Sequence, residues 1–433
     1  MSLFIKGFSK ISLDMIFGPI MGALYGPVAF LWIIFGCIFA GAVHDYLTGM
    51  ISIRNGGAHL PALVGKFLGK PMKHIVNIFS VLVLLLVGTV FVSSSAGLIF
   101  NLVNGKIALI ALIVIIFMYY MLSTMLPIDK IIGKLYPIFG MLLLLGTISL
   151  GISLVINQAP IPEVSLTNIH PGGQPIFPLL FLVISCGAIS GFHATQAPII
   201  ARTTKNENQG RYIFYGMMLA EGIVAMVWAA AAMSLFDGPV SLNELISTIG
   251  TSGIVNEVAG LMLGTFFGTL LVLSVIVLPL SSGDTAFRSA RMIIADYFRV
   301  PQRLISKRML IAIPLFAVSI LLSTVDFDIL WRYFSWANQT LAAISLCVAT
   351  MYLYVSRKNY FIALIPGTFM TYAVTTYILN AKIGFNFSIQ VSYILGAIIT
   401  IGLILLFFKY AKINRHNGLE VDEPIPKPKN QAA

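Results

Sequence analysis

Two residues able to carry a proton, His193 and Glu221, stand inside long apolar runs. His193 belongs to CGAISGFHATQ (186–196), where Gly187, Ser190, Gly191, Phe192, Thr195 and Gln196 accompany it in a stretch otherwise fit for lipid. Glu221 sits among Leu219, Ala220, Gly222 and Val224. Ionisable groups at such depth are costly and functional by default, and an imidazole changes charge near physiological pH. Glu221 is therefore the first candidate for proton coupling, against a structural hydrogen bond to a neighbouring helix. His193 is a candidate to take a proton or to donate to an anionic substrate, against a plain hydrogen-bonding packer.

Other polar groups recur in apolar surroundings. Ser93, Ser94 and Ser95 either line a site or bond back to carbonyls of their own helix. Ser281, Ser282, Asp284 and Thr285 are expected at the cytoplasmic end of a span, as an inner gate, as an Asp284–Arg288 pair at i, i+4, or as an ion site. Asn338 and Gln339 are expected to line an outer vestibule. His44-Asp45 reads as gating or structural, because no further His/Asp set accompanies it to make a metal site. Cys37, Cys186 and Cys347 lack metal-ligand spacing and read as small buried apolar residues. No metal and no cofactor is expected. The sequence holds no HExxH, no paired carboxylates within a span and no GxxxxGK[ST] loop, so an intramembrane enzyme and direct drive by ATP are both disfavoured. Two rivals to a carrier stay open: a channel, with currents far above carrier turnover, and a non-transporting nutrient sensor, which ordinarily needs an output domain.

These residues need elements to hold them. Of the 433 residues 58% are hydrophobic and 10% charged, where a soluble chain carries about a quarter charged. The chain is an all-α polytopic membrane protein whose first partner is the lipid bilayer. Runs long enough to cross lipid fall at 75–103, 107–127, 135–156, 178–199, 212–235, 258–280, 309–323, 334–355, 360–380 and 388–408. Residues 3–25 and 28–52, hinged at Gly26-Pro27, bring the total to about twelve spans; read as one long span they bring it to about eleven. With the larger number, all Lys and Arg except Lys106, Arg332 and Lys382 fall on one side, which places both termini in the cytoplasm. That bias explains the net charge of +11 without nucleic acid. No cleavable signal pattern is expected at the start. Residues 1–408 read as one transmembrane domain, with repeats at about 1–156 and 178–355 and extra helices over 360–408. Residues 409–433, with Pro424, Pro426 and Pro428, read as a disordered cytoplasmic tail. The oligomeric state is left open.

Breaks organise the spans. Gly187 and Gly191 loosen the sixth span. In the first, Gly18, Pro19 and Gly22 do the same, since Pro19 lacks a backbone donor. Freed backbone groups belong in protein or beside a watery cavity, not in lipid. Interrupted segments at matching places in two halves point to a transporter site at a repeat interface, against glycines that merely allow close packing.

The blocks at 26–57, 186–204, 217–233 and 278–291, together with ANQTLA (337–342), resemble the carbon starvation protein A (CstA) family. The resemblance implies an inner-membrane transporter for peptides or pyruvate, used when carbon runs out, with a proton preferred to sodium as coupling ion. It also implies a LeuT-like five-plus-five inverted repeat with broken first and sixth helices, the third span lining the site. Members usually begin with an additional span and a Val-Asp-Tyr-Val-Pro-like segment. Here Ile11-Ser12-Leu13-Asp14-Met15 precedes Phe17-Gly18-Pro19, which implies a shortened chain or a rearranged first helix, as in the family's shorter members.

Overall fold

A computed structural model describes residues 14–125, 129–185 and 187–425. Among them every regular element is helical. Helix α1 (Asp14–Gly22) runs into a tight 3₁₀ turn, Ala23–Tyr25. Gly26, at φ 81°, then reverses the chain, in the left-handed region glycine tolerates. Helix α2 (Val28–Arg54) contains a wide π-helical stretch, Trp32–Gly41. The short α3 (Leu60–Phe67), α4 (Lys70–Leu102), α5 (Leu109–Met125) and α6 (Asp129–Ile156) follow. The next span comes in two pieces, α7 (Ile176–Val183) and α8 (Gly191–Thr203). A second π turn, Arg211–Gly216, leads into α9 (Met217–Ser234). The remaining helices are α10 (Pro239–Phe298), α11 (Ile305–Leu322), α12 (Phe327–Val355), α13 (Phe361–Asn380) and α14 (Ile389–His416).

Among the described residues, nine helices are long and apolar enough to cross a membrane, and two shorter apolar helices, Met15–Tyr25 and Leu109–Met125, accompany them. The surface has the matching polarity. Phe39, Ile78, Ile223 and Leu405 stand largely exposed, while His44, Asp45, His193, Glu221 and Asn338 are buried. Apolar outside and polar within suits lipid as the solvent. The chain is a multi-pass membrane protein. Inside, α8 packs on α2 and α12, α1 on α9, and α4 on α10. Small residues admit the close contacts: Phe287 sits over Gly88, and Phe214 over Gly49.

Three expectations need correction. Gly18-Pro19 does not interrupt the first span, since the helix runs from Asp14 through Pro19 to Gly22. Any interruption earlier in the chain falls on residues 1–13, outside those described. The eighth span does not run unbroken over 258–280. Gly250 and Gly264, both at φ 70°, break α10, and its last segment, 265–298, carries the helix through Ser281–Thr285. Finally, α14 continues to His416, and residues 417–425 are bound rather than loose. Lys66 Nζ donates to the Glu423 carbonyl at 2.8 Å, and Asn55 Nδ2 to that of Val421 at 3.1 Å. Tyr352 donates its hydroxyl to Asp422 Oδ1 at 2.8 Å. Leu419, Val421 and Ile425 pack against the core. Pro426 and Pro428 lie outside the described residues.

Candidate functional site

The site is built around the gap between α7 and α8. Ser190 is extended, so α8 starts abruptly at Gly191. The groups freed there find side-chain partners, as buried backbone must. Trp32 Nε1 donates to the Ile184 carbonyl at 3.2 Å, and Gln339 Nε2 to that of Phe181 at 3.1 Å. On the other side of the gap, the Phe192 N–H donates to Asn338 Oδ1 at 2.7 Å, and Asn338 Nδ2 donates to Ser190 Oγ at 3.2 Å. Asn338 and Gln339 are fully buried clamps of the break.

Glycines let the neighbours close in. A Cβ at Gly191 would lie 2.1 Å from the Asn338 carbonyl oxygen, and one at Gly41 2.1 Å from that of Ala188. Gly18 and Gly22 press on the same gap: a Cβ at Gly18 would meet the Val183 oxygen at 2.8 Å, and one at Gly22 the Ile184 side chain at 2.5 Å. Pro19 lies beside Gly187. The first-span stretch thus touches the break in the sixth even though it is itself helical. Cys186, within the gap, lies outside the described residues.

The ionisable groups meet one turn into α8. His193 Nδ1 lies 2.8 Å from Asp45 Oδ2, and its Nε2 lies 3.5 Å from Glu221 Oε2. The other oxygen of Asp45, Oδ1, is 2.9 Å from His44 Nδ1. All four side chains are no more than 2% exposed. One imidazole therefore stands between two carboxylates from different helices, Asp45 on α2 and Glu221 on α9. His193 and Glu221 were legible in the sequence as lone polar groups. The reading of His44-Asp45 as gating or structural does not foresee this pairing; what brings Asp45 here is the packing of α2 on α8. A π-helical stretch directly precedes α9 as it does the second part of α2, and such wide turns recur at functional sites.

Nearby polar groups stand without hydrogen bonds. Gln196 is 1% exposed with neither amide atom partnered among the described residues, and the hydroxyls of Thr48, Ser93, Ser94 and Ser95 are likewise unpaired. The three serines do not bond back to their own helix. The Phe91 and Phe192 rings, 5.9 Å apart, join α4 to the start of α8. Thr195 does turn inward, to the Phe192 carbonyl. Ser281, Ser282, Asp284 and Thr285 lie within α10, where Gly283 presses on Tyr120 of α5. Asp284 pairs with Arg288 at 2.9 Å, Ser281 donates to the Leu278 carbonyl, and Thr285 to that of Ser281.

The family model for carbon starvation protein CstA matches residues 3–155, 101–251 and 244–377. This chain belongs to the CstA family. An uncharacterized membrane protein of Haemophilus influenzae is 45% identical over 54% of this chain and 76% of its own length. The peptide transporter CstA of Bacillus subtilis is 23% identical over 94% of the chain and 88% of its own. The pyruvate/proton symporter BtsT of Escherichia coli is 24% identical over 51% of the chain and 40% of its own. Among solved structures, a manganese transporter mutant from Eremococcus coleocola aligns with a TM-score of 0.63 at 14% identity, over 96% of this chain and 94% of that one. At that identity the likeness is one of fold.

Proposed function

We propose that this CstA-family chain is a secondary active transporter that imports a small carboxylate-bearing nutrient, a peptide or pyruvate, in symport with protons. It does so in the bacterial inner membrane during carbon starvation. The observation that carries this reading is His193 held between Asp45 and Glu221, sealed from solvent at the break in a membrane span. A buried group that gains and loses a proton as it meets alternate sides of the membrane couples proton flow to substrate. The name of the BtsT relative supports the proton as the ion.

In this reading about twelve spans form a five-plus-five inverted repeat, with both termini cytoplasmic. The first, second, sixth and seventh spans rock against the third, fourth, eighth and ninth. Gly18, Pro19 and Gly22 let the first span close tightly on the gap that holds substrate. The unpaired polar groups Ser93, Ser94, Ser95 and Gln196 supply hydrogen bonds, together with Ser190, Phe192, His193 and Thr195. Gly187 and Gly191 keep backbone N–H groups within reach of a carboxylate, near the positive end of α8. Asn338 already holds the Phe192 N–H, so substrate replaces or joins it as acceptor. Asp284, paired with Arg288, acts with Ser281, Ser282 and Thr285 as an inner gate.

The test is uptake of labelled pyruvate and a labelled dipeptide into proteoliposomes, under a proton gradient, a sodium gradient or neither. Proton-driven uptake of one substrate is expected, lost in Glu221→Gln and in His193→Ala. Full proton-driven uptake by both variants would sink the coupling assignment.

A further inference from the structure

Two carboxylates flank His193, and they are not equivalent. Glu221 Oε2 lies 3.5 Å from Nε2, too long for a made hydrogen bond but close enough for one to form with a small shift. Asp45 Oδ2 lies 2.8 Å from Nδ1, the length of a charge-assisted bond. Asp45 also receives His44 through its second oxygen at 2.9 Å. An ionised carboxylate only accepts. With Asp45 ionised, both imidazoles facing it present a protonated Nδ1, which fixes the tautomer of each. In neutral His193 this leaves Nε2 as the basic atom, on the side of Glu221.

The backbone holds Asp45 to this task. The π-helical Trp32–Gly41 ends just before Ala42, and Gly41 is pressed against the Ala188 carbonyl, so α2 is pinned to the gap one turn before Asp45. Cys37, on the same stretch, donates to the Met218 carbonyl and lies against Gly222, tying α2 to the helix that carries Glu221. Groups that face His193 thus come from both helices, Asp45 from α2 and Glu221 from α9.

We propose that Asp45 is the positioning residue of the proton carrier. Its carboxylate keeps Nδ1 of His193 protonated and turns the ring so that Nε2 exchanges the transported proton with Glu221. In that exchange the Glu221 O–H bond breaks, the Nε2 lone pair takes the proton, and the imidazolium rests between two carboxylates. The reverse step returns it. The inference rests on the transport reading above, and adds a residue and a direction to it.

Asn in place of Asp offers one acceptor and one donor where Asp45 offers two acceptors, so one imidazole must change tautomer. In proteoliposomes, Asp45→Asn is expected to lose proton-driven accumulation of labelled pyruvate or dipeptide by about ten-fold or more, the scale seen when the partner orienting a metal-ligating imidazole is removed. Substrate exchange at equal pH on both sides, which needs no net proton transfer, is expected to persist. Asp45→Glu should recover part of the accumulation. In ¹⁵N-histidine spectra, the wild type should show a protonated Nδ1 at His193, with one ring altered in Asp45→Asn. Equal loss of exchange and accumulation in both variants would make Asp45 merely structural, and unchanged accumulation and spectra in Asp45→Asn would remove its role; either overturns the proposal. A wild type without proton-driven uptake defeats the transport reading by itself, and the inference with it, whereas failure confined to the variants leaves that reading standing.

Discussion

His59, between α2 and α3, shows how much one buried side chain can contribute. It is 5% exposed, and neither ring nitrogen has a hydrogen-bond partner among the described residues. Burial, then the charge of Arg202, push its pKa from 6.5 down to about 3, outweighing Asp296 at 3.8 Å. The unfolded chain therefore binds the proton first as pH falls. The stability this neutral ring contributes is complete above about pH 6.5 and is lost as the pH drops towards 3. Thermal unfolding in detergent should show a loss of about 1 kcal/mol between pH 7 and pH 5.5 that His59→Phe lacks. At this scale the sequence was informative where a residue was out of place in its own run, as His193 and Glu221 are. It was silent where the decisive fact was a partner from afar. Asp45 is separated from His193 by 148 positions, and Asn338 from the Phe192 N–H by 146. Nothing local to Asn338 says that it caps a broken helix.

Among elements, the breaks carry the lesson. The Gly-rich polar stretch at 186–191 announced the gap between α7 and α8, because polar groups in lipid must be given a purpose. Gly18-Pro19 carried the same signal and yields a helix, while Gly264, in a plain apolar run, breaks one. Sequence cannot say which glycine adopts positive φ, since glycine is equally at ease in either region. Gly264 sits at φ 70° and ψ 179°, a conformation nearly confined to glycine. A Cβ there would meet no atom within 4 Å, so strain alone acts. Gly264→Ala should cost about 1–3 kcal/mol, read as a lower midpoint of unfolding in detergent. Gly191→Ala would strike backbone atoms instead, so the two variants separate torsional strain from collision.

For the whole molecule, the charge pattern and the apolar exterior describe the same object. The helical, membrane-spanning character was legible from composition alone, because lipid permits few architectures. The order of helices around the site was not, since every span is apolar and any two could pack. The positive-inside bias makes a topology prediction. Cysteines placed at the exposed positions Lys106 and Lys382 should react with an impermeant maleimide in intact cells, and one at Arg357 only after permeabilisation. The reverse pattern would invert the orientation, and labelling of all three in intact cells would break the span count.

Asp422 meets Tyr352 and approaches Arg54, while the carbonyls of Val421 and Glu423 receive Lys66. Arg54 and Lys66 leave the ribosome long before Val421, Asp422 and Glu423, which meet them. Until residues 421–423 are made, this corner of the molecule is therefore unfinished, its early basic residues still lacking those partners. A chain whose translation stalls before residue 421 would reach the bilayer with its spans inserted and these contacts unmade.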